Sequence, residues 1–353
     1  MKMLIMAGGQ GTRFCPMSRR DRPKQFLKLF RDRSLFQLTV ERLSKIVAGS
    51  DIYVVCSEQY LPQVLDQAPE ISVEQVIVEP VPRNTAPCIG LSATRIEALF
   101  PGEVMGVFPS DHLILDEKAF ESACRTAADL ASQGKLVTLG IQPEYPATGF
   151  GYLQQGEPLV IDGTAEAFRV ARFTEKPDAF RAAEFLKSGG YLWNSGMFFW
   201  RTSSILEAIE RHLPRLHHLL NSLRECSPQD AACHELFQSA EPISIDYGVM
   251  EKSDNVVVVP CDLQWNDVGD WNAVAELVES GKGEGFPGWQ KPVSVDSTNC
   301  FVVSRGKKRV ALAGVEDLIL VETKDAILVC SRKHSQDVGR IVKLLNDDDP
   351  SLL

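Results

Sequence analysis

The first 140 residues alternate between apolar, β-rich runs and segments with helical period, and this alternation restricts the fold more than any other feature. The runs 3–7 (MLIMA), 51–56 (DIYVVC), 75–79 (QVIVE), 103–108 (EVMGVF) and 135–141 (KLVTLGI) are nearly continuous in apolar character, as strands covered on both faces should be. Between them, SLFQLTVERLSKIVAG opens with Ser34 and Gln37 at capping-box spacing, places Leu35, Leu38, Leu43, Ile46 and Val47 at helical intervals, and stops at Gly49. Residues 116–133 repeat the helical pattern and stop at Gly134. Strand–helix alternation of this kind implies an α/β fold with a largely parallel sheet, which binds ligands beyond the carboxyl ends of its strands.

From about 150 to 285 the pattern loosens into mixed strands and helices, and KGEGFPGWQKP (282–292) has the composition of a linker. We therefore expect a main domain over 1–285 and a small one over 290–353. In the second, short apolar runs recur, and DLILV at 317 and DAILV at 325 repeat with an offset of eight. A hairpin explains that pair, whereas a small stack of β-turns explains the whole series. A closing helix is expected over 334–346, before a frayed acidic tail, DDDP.

A formal net charge of −10 argues against a general binder of nucleic acid or anionic membrane. No apolar run is long enough to span a bilayer, and MKMLIMAGG is too short and unflanked for a signal peptide. Nine cysteines, odd in number and widely spaced, contain no C-x-x-C pair, and Cys56 and Cys330 lie inside apolar runs. A reducing, cytoplasmic setting follows as the expectation. His212, His217, His218, Cys226, Cys233 and His234 fit no zinc spacing and read as the polar faces of helices.

Against this acidic background, MAGGQGTRFCPMSRRDRPKQF (6–26) concentrates glycine and positive charge directly after the first strand. A P-loop would end in Gly-Lys-Ser/Thr, which is absent, and the dinucleotide pattern G-x-G-x-x-G fails because its third glycine position is Phe14. What remains is a flexible loop whose backbone N–H groups can approach phosphate, with Arg13 inside it and Lys24 eleven residues later, behind Pro23. On this stretch alone, a glycine turn bearing surface arginines is an equal reading.

GGQGTRF-P-SR--RPKQF resembles the signature of sugar-1-phosphate nucleotidylyltransferases, specifically the mannose-1-phosphate guanylyltransferases. EPVPRNTAP (79–87), FPSDH (108–112), TGFGY (148–152), FTEKPD (173–178), LWNSGMF (192–198), IDYGVMEK (245–252) and WNDVGDW (265–271) match in order. So does the C-terminal GVEDLILVETKDAILV, and the resemblance covers nearly the whole chain. Cys15 departs from it, since the family usually has tryptophan before that proline. Some relatives carry a further isomerase domain, and with the sequence ending at Leu353 that second activity is expected to be absent.

The resemblance implies a Rossmann-like, mostly parallel sheet flanked by helices, of nucleotide-diphospho-sugar transferase type, with a small left-handed β-helix-like domain after it. It implies transfer of a guanylyl group from GTP to mannose 1-phosphate. Such a reaction must bring two polyanions together and stabilise departing pyrophosphate, so positioning and charge compensation dominate. Arg13 and Lys24 are then expected on the triphosphate, with Gly8, Gly9 and Gly11 supplying loop backbone. Asp111 and Asp267 correspond to positions that hold Mg²⁺ in similar proteins, with His112 beside the site rather than a ligand. Glu175 and Asn194 suit sugar hydroxyls, Lys176 the sugar phosphate, and Gly149 a close pass of the chain by the hexose. Tyr247 is expected to pack nearby. Glu79, followed by Arg83 and Asn84, is the expected acceptor for the N1–H and 2-amino donors of guanine, and Asn84 is expected on the nucleotide sugar or phosphates. Another hexose 1-phosphate as substrate, or a non-catalytic nucleotide-sugar sensor, would use the same fold. A homodimer, joined through edges of the small domain, is expected.

Overall fold

A computed structural model describes residues 1–9, 11–161, 165–224, 231–283, 285–306 and 308–348. Cys226 of the histidine–cysteine group, Glu284 of the linker and the end of the acidic tail fall outside the described residues. The chain forms two compact units: one of Met1–Gly8, Arg42–Pro109 and Ile114–Trp265, the other of Gly9–Glu41, Ser110–Leu113 and Asn266–Leu353.

The first unit is built on a nine-stranded sheet. Its order is Val76–Glu79, Ile52–Ser57, Lys2–Met6, Val104–Pro109, Tyr191–Arg201, Leu136–Ile141, Val256–Cys261, Ala165–Thr174 and Tyr152–Ile161. The first four strands run parallel, as the alternation predicts. Tyr191–Arg201 enters antiparallel between Val104–Pro109 and Leu136–Ile141, so the sheet is mixed in its second half. Every residue of Leu136–Ile141 is buried, which explains its unbroken apolar sequence. The helix Glu117–Ser132 is capped by the Asp116 carboxylate, which accepts from Ala119 N at 2.9 Å. Parallel register aligns Ser57 with Glu79 and Met6 with Pro109, so Glu79 and the exit toward Gly8 lie at the carboxyl edge of the sheet.

In the second unit, the predicted capping box forms: Ser34 N donates to Gln37 Oε1 at 3.1 Å and Gln37 N to Ser34 Oγ at 3.0 Å. The helix it opens is shorter than its pattern, ending at Leu43, with turns carrying the chain on to Gly49. Strands Val293–Val295 and Ala311–Ala313 pair in parallel, as do Phe301–Ser304 and Leu318–Glu322. Both pairings, and the side-chain bonds Asn299–Asp317 and Ser304–Glu322, share an offset of 18 residues. The structural repeat is therefore a coil of 18, and the eight-residue similarity is the antiparallel pairing of Leu318–Glu322 with Ile327–Ser331. The closing α-helix is Val338–Asp348, later than expected, because Arg332–Asp337 forms a tighter turn with His334 at a non-helical φ of −110°. Every described cysteine is a free thiol.

Candidate active site

In the second unit, the glycine-rich stretch and the two aspartates come together on Lys24. Pro23 precedes a short 3₁₀ turn, Lys24–Phe26, which buries Lys24 to 6% side-chain exposure. Its Nζ donates to Asp111 Oδ2 at 2.8 Å and to the Asp267 backbone carbonyl at 2.7 Å. Gly11 makes this approach possible: its φ is +57°, and a Cβ there would lie 2.3 Å from Lys24 Cβ and 2.7 Å from Lys24 N. Gln25 Nε2 donates to Gly9 O at 2.8 Å, pinning the loop from the residue after the lysine. Arg13 is exposed on the 3₁₀ turn Thr12–Phe14 and acts electrostatically on Asp267. Trp271 Nε1 donates to the Cys15 backbone carbonyl at 3.0 Å, and the Phe14 and Trp271 ring centroids lie 5.2 Å apart.

The aspartates are shifted in opposite directions. Burial pulls the Asp111 carboxyl upward, but Lys24 and then His112 outweigh it and hold it below the usual carboxylate range. Asp267 is pushed above that range by burial, with the Asp111 charge adding to the effect and Lys24 and Arg13 opposing it. His112 lies 4.0 Å from Asp111 Oδ1.

In the first unit, Glu79 is buried at the carboxyl end of its strand, where burial raises its carboxyl to about 7, and Arg83 N donates to it at a long 3.4 Å. Gly8 is its neighbour, since a Cβ on Gly8 would lie 3.6 Å from Glu79 Oε2. Asn84, at a positive φ of 68°, caps the helix Thr85–Leu99: its Oδ1 accepts from Thr85 N at 2.8 Å.

A second group in this unit surrounds Asn194. Its Nδ2 donates to Asp246 Oδ1 at 2.8 Å, and its Oδ1 accepts from Thr138 Oγ1 at 2.8 Å and from Gly196 N at 3.3 Å. Asp246 is raised to about 7 by burial and then by the Glu175 charge. Glu175 is 8% exposed and pairs with Lys176 at 3.0 Å; its N–H donates to Glu251 Oε1 at 2.8 Å, and Tyr247 Oη donates to its carbonyl at 3.4 Å. Tyr247 itself is 44% exposed.

Gly149 faces open space, whereas a Cβ on Gly151 would lie 2.4 Å from Glu175 Oε2 and 3.4 Å from Asn194 Cβ. Gly151, two residues on, is a further close approach within the same motif. Sequence reasoning also passed over Asp246, Thr138 and Gln25. Asp246 stands beside Tyr247 inside the motif IDYGVMEK, so a signal for it existed; Thr138 lies in a plain apolar strand and gave none.

A sheet with parallel strands ending at Glu79 and the Gly8 exit, and a lysine bound between two aspartates, define the class. The chain belongs to the nucleotidyl transferase family, whose model matches residues 2–282, and it is an enzyme. Residues 290–345 match the MannoseP isomerase/GMP-like beta-helix domain. The chain is 40% identical over 354 residues to a mannose-1-phosphate guanylyltransferase of Escherichia coli, covering 98% of this chain and 74% of that protein. It is also 40% identical over 357 residues to the mannose-1-phosphate guanylyltransferase of Klebsiella pneumoniae, covering 99% of this chain and 74% of that one. Among solved structures, one described as mannose-1-phosphate geranyltransferase from Thermus thermophilus superposes with a TM-score of 0.82 at 32% identity, covering 98% of this chain and 99% of that one.

Proposed function

We infer that this enzyme converts GTP and α-D-mannose 1-phosphate to GDP-mannose and diphosphate. The observation that supports it most is the assembly of Arg13, Lys24, Asp111 and Asp267 in one unit of a chain similar over its length to guanylyltransferases. The attacking oxygen belongs to a sugar phosphate already ionised near neutral pH, so the reaction needs charge compensation and alignment rather than a general base. Arg13 and Lys24 neutralise the triphosphate, and the Gly8, Gly9 and Gly11 backbone follows the phosphates closely.

The donor set in the second unit fits a hard divalent ion. Two carboxylates from separate segments interact electrostatically, and no cluster of three or more His, Cys, Asp or Glu suited to a metal occurs among the described residues. Mg²⁺, which needs only one or two protein carboxylates and takes its other oxygens from phosphate and water, suits that pair, with Asp111 and Asp267 as the ligands. When bound, it would neutralise charge developing on the departing diphosphate. Glu79 accepts hydrogen bonds from guanine, and Asn84 serves the nucleotide sugar or phosphates. Glu175 and Asn194 read the hexose hydroxyls, Lys176 meets the sugar phosphate, and Gly149 leaves room along the chain.

Mixing the protein with GTP, Mg²⁺ and mannose 1-phosphate is expected to release diphosphate and yield GDP-mannose by chromatography. No release with that sugar but turnover with another hexose 1-phosphate would move the substrate assignment; no release with any would favour a sensor. We also propose a cytoplasmic homodimer, consistent with exposed Val293, Val295, Ile327 and Val329 on short strands and with no helix long and apolar enough to cross a membrane among the described residues. Light scattering at about twice the 39.1 kDa chain mass is the expected result.

A further inference from the structure

Two local irregularities bring Asn194 and Asp246 together. The strand Tyr191–Arg201 loses register with Leu136–Ile141 between Asn194 and Phe198, a bulge in which Gly196 takes a φ of +72°. Bulges of this kind re-aim side chains. From the other side, Asp246 opens a π-helical turn, Asp246–Met250, a wider winding than an α-helix and one that recurs at functional sites. The side-chain pair that results spans 52 residues of sequence.

The hydrogen-bond accounting at Asn194 is restrictive. An amide offers two donor hydrogens and two acceptor sites. Both acceptor sites face donors, Gly196 N and Thr138 Oγ1, whose one hydrogen is shared with the Met197 carbonyl at 3.1 Å, and one amide hydrogen is used by Asp246. Turning the amide over would set its NH₂ against the Gly196 N–H and its oxygen against Asp246, repulsive whenever Asp246 is ionised, so Gly196 and the ionised Asp246 together fix the orientation. Only the second Nδ2 hydrogen is left for a ligand. Asn194, which the sequence offered as both donor and acceptor, is thus reduced to a donor.

We propose that Asp246 is a positioning residue for sugar recognition: it locks the Asn194 amide so that Asn194 donates to a hexose hydroxyl oxygen, leaving the hydroxyl hydrogens to the Glu175 carboxylate. Donor and acceptor are then presented from fixed places, and Gly151, lacking a Cβ, is what allows Glu175 and Asn194 to stand side by side. A hydroxyl of the wrong stereochemistry stands out of reach of one of these two fixed partners. This inference rests on the assignment of Glu175 and Asn194 to the sugar.

Steady-state kinetics on the full chain, with mannose 1-phosphate and GTP varied separately, tests it. Asp246→Ala frees the amide and is expected to raise KM for mannose 1-phosphate about tenfold or more while changing KM for GTP and kcat by less than about threefold. Asp246→Asn keeps an oxygen facing Asn194 Nδ2 and should restore KM to within about threefold of the parent. Discrimination against glucose 1-phosphate should fall in Asp246→Ala and recover in Asp246→Asn. Unchanged KM in Asp246→Ala, equal increases for both substrates, or no recovery in Asp246→Asn would overturn the proposal. Asn194→Ala separates this from the underlying assignment. If it leaves KM for the sugar phosphate unchanged, the sugar assignment itself fails; if it raises KM and Asp246→Ala does not, only the positioning role fails. Should Asp246→Ala not fold, Thr138→Val, which releases the amide oxygen from the opposite side, must raise the same KM selectively.

Discussion

The two units treat their buried carboxylates differently. In the second, Asp111 and Asp267 share Lys24, at 2.8 Å and through a 2.7 Å backbone contact, and Arg13 adds a further cation. In the first, Glu79 and Asp246 are raised to about 7 by burial, and the groups that donate to them are distant or neutral: Arg83 N at 3.4 Å for one and the Asn194 amide for the other. Asp111, held charged by Lys24, suits work on polyanions, with Asp267 beside it pushed upward by burial. Groups held near neutrality by burial suit the reading of N–H and O–H donors, where a fixed acceptor matters more than a strong field.

Breaking the charged side of this contrast should have the largest effect. Lys24→Ala is expected to lower kcat/KM roughly 10²- to 10³-fold with the fold retained by circular dichroism. A loss below tenfold would mean that Lys24 serves Asp111 structurally and the contrast is false.

A pair of glycines sharpens the comparison at intermediate size. Gly11→Ala combines a positive φ with overlap on Lys24, so it should cost on the order of 2 kcal/mol of stability and lower kcat. Gly151→Ala displaces Glu175 and should raise KM for the sugar phosphate about tenfold, with KM for GTP little changed. Gly149→Ala, with nothing within 4 Å of its added Cβ, should leave stability unchanged and reports only on the close pass by the hexose. Melting curves and two-substrate kinetics report all three.

Glu79→Gln is the smallest and the most diagnostic. A carboxyl raised from its ordinary 4.5 to about 7 binds its proton more tightly in the folded chain, so its contribution is complete below 4.5 and declines as pH rises through about 7. The glutamine variant has no such decline. Relative to the parent it should be more stable at pH 8 than at pH 5, by on the order of 1–3 kcal/mol, while KM for GTP rises. Identical pH dependence of the two melting temperatures would show that Glu79 stays charged throughout.

Much of this was legible because it is local or chemical. The capping box at Ser34 and Gln37 spans three residues, and the apolar strands declare themselves by composition. The basic loop, Asp111 and Asp267 were named from charge and motif, and the structure puts them on one lysine. The 18-residue coil was not legible, because its pairing partners repeat in position rather than in identity: Asn299 meets Asp317, and Ser304 meets Glu322. Nor was the direction of the Asn194 amide, which depends on Thr138 and Asp246, residues 56 and 52 positions away. The tight fit at Gly151 was not legible either, because spacing alone carries no information about where Glu175 turns.

The composition of the second unit also bears on how the chain is made. Residues 9–41 emerge early from the ribosome, yet Trp271, which donates to the Cys15 carbonyl, and Asp325, which pairs with Arg19 at 3.0 Å, are synthesised far later. Until they are made, the glycine-rich segment has only its local contacts, such as Gln25 Nε2 on the Gly9 carbonyl. The sheet of the first unit can condense from residues up to 265, whereas the glycine-rich stretch gains these two partners only once residues 271 and 325 have followed.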